Sequence, residues 1–219
     1  MQLYPADKSG GVAEMLDALV ANDGTGAHPY VKSGKLSEGR AAMRNLADAV
    51  HFLCVLHGRY PGIVDHAARK AVDPAARQWL DQAAEAFAAE RALLGRIAAA
   101  VGPVPSTSGQ ASCEAAVAGQ RRALDMLAES DRRGCALGAA MALTLEWRTI
   151  RVLLDISAAR IEIETPHCAL PDLVATARLA REVADSPAIE RALGFGAQQL
   201  VMQHRGLWDL LAARELARR

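Results

Sequence analysis

Along most of the chain aliphatic residues recur every three or four positions, and short breaks rich in Gly, Pro, Asp and Ser interrupt them. Val12, Met15, Leu16 and Leu19 fall at i, i+3, i+4 and i+7, one stripe of a short first helix. Asn22-Asp-Gly-Thr-Gly opens a polar loop that runs to Ser37, a side chain suited to capping the next helix. That second helix, over about 37 to 58, is predicted to bury Met43, Leu46, Ala47, Val50, Cys54 and His57. Gly58-Arg-Tyr-Pro-Gly62 stops it, and Pro61 suits the first turn of a short third helix over about 61 to 71. Asp73-Pro74 then reads as a cap followed by proline at the first helical position, starting a long fourth helix striped by Leu80, Phe87, Leu94, Ile97 and Val101. Gly102-Pro-Val-Pro-Ser-Thr-Ser-Gly109 ends it. A fifth helix carrying Cys113, Val117, Gln120, Leu124 and Leu127 inward closes near Ser130.

The sixth helix, over about 132 to 160, is apolar on two faces: Leu137, Met141 and Leu145 on one, Leu143, Trp147, Ile150 and Leu154 on the other. A helix apolar around most of its circumference is a buried one, so this one is expected at the centre. Pro166 and Pro171 punctuate the next connection, a seventh helix spans about 171 to 184, and Ser186-Pro187 opens the last. Gly194-Phe-Gly196 is expected to bend or break that final helix.

These elements predict an all-α protein, an antiparallel helical bundle of about seven to eight helices, four long core helices plus shorter ones. It is read as one domain over 1–219, with 102–109 the candidate hinge. Composition sharpens this picture. Hydrophobic residues make up 51% of the chain and aromatics only 4%, so the apolar content is aliphatic and rich in Ala, the best helix former. No convincing strand is found. A domain of 219 residues buries roughly 70% of its unfolded surface and needs no disulfide or metal to stay folded. Length and helix count are compatible with ferritin-like and haem-oxygenase-like architectures. That likeness is one of architecture and carries no residue motif with it.

Charge and cysteine usage exclude several classes. The 25 basic and 25 acidic side chains balance, and no basic stripe is present to neutralise phosphates, so no nucleic-acid partner is expected. Cys54, Cys113, Cys135 and Cys168 are far apart, with no Cys-x-x-Cys pair to suggest structural zinc or thioredoxin-like redox chemistry. No apolar run reaches the ~18 residues of a membrane span and no signal sequence is visible, so the expectation is a cytoplasmic protein with no membrane partner.

Three features point toward chemistry. The densest cluster of reactive side chains is His51-Phe-Leu-Cys54-Val-Leu-His57-Gly-Arg-Tyr60-Pro-Gly-Ile-Val-Asp65-His66. His57 shares the apolar stripe of its helix. His51 lies at the edge of that stripe, one turn after Asp48, which is expected to bond its ring. The turn at 58–62 would fold Asp65 and His66 back toward His57. His204 is the second feature: its helical neighbours Leu200, Val201, Leu207, Trp208 and Leu211 are apolar, and a buried imidazole left without a partner costs ~1–3 kcal/mol. A backbone carbonyl is the commoner partner. Glu146 is the third, set among Ala142, Leu143, Thr149 and Ile150, where a carboxylate must be paired, protonated or bound. An ion pair with an arginine such as Arg44, Arg59 or Arg148 is the expected solution.

Glu-x-x-His occurs only as Glu164-Thr-Pro-His167, with proline inside it, and Asp48-x-x-His51 is a weak second, so a ferritin-type di-iron site is disfavoured. His-Glu-x-x-His, the P-loop and Gly-x-Ser-x-Gly do not occur, and Gly194-x-Gly196 lacks the strand and third glycine of a dinucleotide site. The cofactor is unknown. The functional expectation is a small molecule or metal bound in an inter-helical pocket around His51, His57, Tyr60, His66, Glu146 and His204, with His57, His204 and Glu146 as candidate metal ligands. The competing expectation is a structural protein without ligand chemistry, forming a homodimer through Leu200, Leu207, Trp208 and Leu211 of the last helix.

Overall fold

A computed structural model describes residues 11–218; the first ten residues and Arg219 of the expected domain lie outside the described residues. The described residues form nine α-helices and no strand: α1 (Gly11–Asp23), α2 (Pro29–Lys32), α3 (Ala42–His57), α4 (Ile63–Lys70), α5 (Pro74–Ala100), α6 (Gln110–Ala128), α7 (Cys135–Arg160), α8 (Leu173–Val183) and α9 (Pro187–Leu216). A single 3₁₀ turn, Thr25–Ala27, joins α1 to α2. None of these helices is long and apolar enough to cross a membrane.

The caps explain where the long helices begin. Asp73 accepts the Ala76 N–H at 2.9 Å, Asp172 accepts that of Ala175 at 2.7 Å, and Ser186 accepts that of Ile189 at 3.4 Å. Two of the three stand directly before a proline that has no N–H to lose. Ser37 does not cap α3. Its hydroxyl donates back to the Gly34 carbonyl, so α3 starts at Ala42 and Met43, expected inside, is 42% exposed.

α7 occupies the centre, as its two apolar faces require: Met141, Trp147, Ile150 and Leu154 are inaccessible to solvent. Its main partner is α9, and the two approach through glycine. A Cβ on Gly138 would lie far inside van der Waals contact with the Leu193 carbonyl, and one on Gly196 would do the same with the Cys135 carbonyl. Gly196 therefore does not break α9, which runs unbroken from Pro187 to Leu216. Packing against α7 offsets the ~1 kcal/mol helix penalty of glycine. Leu200, Leu207, Trp208 and Leu211, the face expected to serve a symmetric partner, are wholly buried inside the chain. That face is not available for a dimer.

One core cluster takes residues from both sides of the 102–109 segment. The segment itself is tied down at three points. Gly102 O meets His51 Nε2 at 2.7 Å, Pro105 O accepts from Arg214 at 3.0 Å, and Thr107 Oγ1 faces Arg218 at 3.2 Å. Three buried carboxylates elsewhere are matched by guanidinium groups, Asp48 by Arg214 and Arg218, Asp65 by Arg91 at 2.7 Å, and Glu90 by Arg151 at 2.6 Å, and Glu215 is matched by Lys35 at 3.0 Å. Removing one partner from such a pair strands a buried charge, which costs far more than the pair itself contributes.

The glycine contact gives a direct test. Gly138→Ala and Gly196→Ala should each cost about 2–3 kcal/mol in urea unfolding, since backbone rather than a mobile side chain must give way. Gly95→Ala, on an exposed stretch of α5 with open space around it, should be neutral or stabilise by up to about 1 kcal/mol.

Candidate functional site

Glu146 projects from the centre of α7 with 1% of its surface accessible. An ionised carboxylate there needs several donors, and the chain supplies them from two directions. From the α1–α2 connection, the Thr25 N–H donates to Oε1 at 3.0 Å and Oε2 at 2.9 Å, and the Thr25 hydroxyl donates to Oε2 at 2.7 Å. From α9, His204 Nδ1 lies 3.0 Å from Oε2. A carboxylate only accepts, so His204 carries its proton on Nδ1. One turn further along α9, the Trp208 indole N–H donates to Thr25 Oγ1 at 2.9 Å, which leaves the threonine proton to point at Glu146. Gly24 makes the approach geometrically accessible, because a Cβ there would collide with Glu146 Oε1.

The string continues beyond His204. Its Nε2 lies 2.8 Å from Nε2 of His57, the last residue of α3. In the neutral His204 tautomer protonated on Nδ1, Nε2 accepts from His57 Nε2–H, and the lone pair of His57 Nδ1 is left over. The His57 ring stands edge-on to Trp147 at 5.6 Å, Phe87 at 6.4 Å and His204 at 5.0 Å, so its plane is fixed by aromatic packing. His57 also borders a narrow cleft of about 20 Å³, walled by Leu56, Ile63, Phe87, Leu124 and Leu143. Arg59 and Arg121 line the same cleft. The volume suffices for one water-sized group.

Burial drives the His57 pKa well below its ordinary value of 6.5, helped by the neighbouring His204 ring and the Arg91 guanidinium. The ring is therefore neutral at pH 7. Burial alone would push the Glu146 carboxyl upward, but the bonds from His204 and Thr25 outweigh it and hold the pKa below its ordinary 4.5. Glu146 is a carboxylate, and the string is a charged acceptor at one end and a neutral imidazole at the other.

Three of the residues singled out in the sequence thus converge: His57, Glu146 and His204. The partners differ from expectation. Glu146 pairs with His204 and Thr25 rather than with an arginine, and His204 meets Glu146 and His57 rather than a backbone carbonyl, because α3, α7 and α9 bring their polar groups face to face. His51 bonds the Gly102 carbonyl instead of Asp48, whose carboxylate is taken by Arg214 and Arg218. Asp65 turns to Arg91 and the Gly62 N–H, away from His57. Tyr60, 68% exposed, is flanked by the guanidinium groups of Arg69 and Arg91, and His66 is half-buried on α4. Neither borders the His57 cleft. Thr25 was hidden in what reads as a polar loop; its only signal was the short Gly-Thr-Gly run, where small residues admit a close approach.

His57, His204 and Glu146 form a line and do not surround a common point. Two nitrogens bound to one tetrahedral zinc stand about 3.3 Å apart, whereas the facing Nε2 atoms are 2.8 Å apart, a hydrogen-bond separation. Among the described residues no group of three or more His, Cys, Asp or Glu side chains is arranged to hold a metal ion.

The model of a family described as a family of unknown function, DUF6975, matches residues 20–219. The chain belongs to DUF6975. No curated protein and no solved structure matches the chain. The DUF6975 match takes in every residue of the string, from Thr25 to Trp208.

Linkage between the string and stability is open to titration. His57 binds a proton in the unfolded DUF6975 chain near pH 6.5 but not in the folded one, so stability should fall as pH drops below about 6.5, with a slope approaching 1.4 kcal/mol per pH unit. Glu146, held low, adds stability above pH 4.5 that is lost as pH falls through its folded value. His57→Gln should flatten the profile between pH 7 and 5 in denaturant titrations. Thr25→Val should cost about 1–3 kcal/mol at pH 7 by stranding the Trp208 N–H and removing the hydroxyl donor from Glu146, whose bonds from the residue 25 N–H and His204 remain.

Proposed function

We propose that a small molecule binds over the mouth of the His57 cleft, with a group no larger than a water entering it, and that His57 acts there as a proton acceptor backed by His204 and Glu146. The observation that carries this reading is the unbroken path of 3.0 and 2.8 Å from a buried carboxylate to an imidazole that borders a cleft. In the step envisaged, a proton from the bound molecule or its attacking water arrives at His57 Nδ1. His57 gives up its Nε2 proton to His204 Nε2, and the resulting imidazolium is stabilised by Glu146. His57 begins and ends neutral. That suits its surroundings, because burial and Arg91 oppose charge on this ring while the carboxylate favours it on the next. Arg59 and Arg121 are placed to meet an anionic part of the molecule, with Asp125 3.6 Å from Arg121 as its present partner. His51, Tyr60 and His66 have no part in this site, and no metal is invoked.

A second reading is favoured by the small size of the cleft: the string fixes the register of α3, α7 and α9 and does no chemistry. The two separate in one assay. p-Nitrophenyl acetate is a generic acyl substrate for an activated imidazole, and its hydrolysis by the intact protein at pH 7 should exceed that of folded His57→Gln by at least about tenfold. His66→Gln should behave as the parent. Equal rates for the parent and His57→Gln would leave only the register-fixing reading.

A further inference from the structure

A larger cleft, of about 330 Å³, lies away from the string and shares no residue with it. It opens where the end of α4, the starts of α5, α7 and α9, and the end of α8 meet. Its size falls at the lower end of the range that encloses small organic ligands. The floor is apolar, built from Ala67, Ala76, Leu80, Ala136, Val183 and Ile189. Four small side chains line it: Ala67 and Ala71 from α4 and its C-terminal edge, Ala76 from α5, and Ala136 from α7.

The rim is polar and unequal in sign: Lys70, Arg132 and Arg133 against Asp73 and Asp131. Both acids are already engaged. Asp73 caps α5, and Asp131 faces Lys70 at 3.3 Å. Arg133 shares a solvent-exposed pair with Asp185 at 3.2 Å, a contact of little strength. Arg132 rests its guanidinium over the Phe195 ring at 5.7 Å and makes no ion pair with a carboxylate among the described residues. An apolar floor beside a guanidinium that pairs with no carboxylate, and that would leave the Phe195 ring to reach the cleft, is complementary to a molecule with one greasy end and one negative end.

We propose that this cleft binds a small amphiphilic carboxylate, its hydrocarbon portion on the alanine-lined floor and its carboxylate at Arg132. The site is independent of the His57 reading and stands or falls without it. Sodium octanoate is the probe, with octylamine as its cationic counterpart, in thermal-shift and calorimetric titrations of the full chain. Octanoate should raise Tm in a concentration-dependent way and bind at least about tenfold more tightly than octylamine. Arg132→Glu, a surface change, should weaken octanoate by about tenfold and remove that preference. Ala71→Phe should fill the cleft and abolish binding of both, whereas His57→Gln should bind octanoate as the parent does. The proposal is overturned if octanoate and octylamine bind alike, if neither binds at millimolar concentration, or if Ala71→Phe leaves octanoate binding unchanged.

Discussion

A carboxylate in the middle of a buried helix is the constraint around which this fold is arranged. Glu146 sits on α7, the element most enclosed by the others, and its negative charge must be met by donors from outside that helix. Thr25 meets it from the α1–α2 connection and His204 from α9, and each of those donors is held in turn, by Trp208 and by His57. The consequence is a polar thread that ties α3, α7, α9 and the 3₁₀ turn together. Such threads are worth having only when every member is satisfied, since a half-satisfied one costs more than an apolar core would.

The thread needs the helices at a fixed separation, and glycine sets it. Gly138 and Gly196 let the α7 and α9 backbones touch, and Gly24 lets the Thr25 amide reach the carboxylate. Around this centre Asp48, Asp65 and Glu90 are matched with guanidinium groups and Glu215 with the Lys35 ammonium, so Glu146 differs from Asp48, Asp65 and Glu90 in having an imidazole as its partner. The difference matters chemically. An arginine keeps its proton at any pH the protein meets, whereas an imidazole can take one up and pass one on.

Much of the architecture was legible in the sequence. Asp73-Pro74 and Ser186-Pro187 marked helix starts to the residue, and the two apolar faces of 132–160 marked the central helix. Where reading failed, tertiary contacts overrode local signals. Gly196 suggests a break unless the Cys135 carbonyl is known to press against it, and the stripe of Leu200, Leu207, Trp208 and Leu211 looks like an interface until α7 is known to cover it. The apolar neighbours of His57, Glu146 and His204 announced three buried polar groups. Their mutual contact was not legible, because the residues lie 147 and 58 positions apart and no local pattern encodes that distance. Nor was the Thr25 donor, whose role depends on a turn geometry that periodicity does not report.

Everything proposed for the thread depends on where its protons sit, and nitrogen-15 NMR of the histidine rings measures that directly. At pH 7 the long-range proton–nitrogen spectrum should give a His204 ring protonated at Nδ1 and a neutral His57 ring protonated at Nε2, with Nδ1 bare. A His57 ring that is charged, or that carries its proton on Nδ1, would contradict the account.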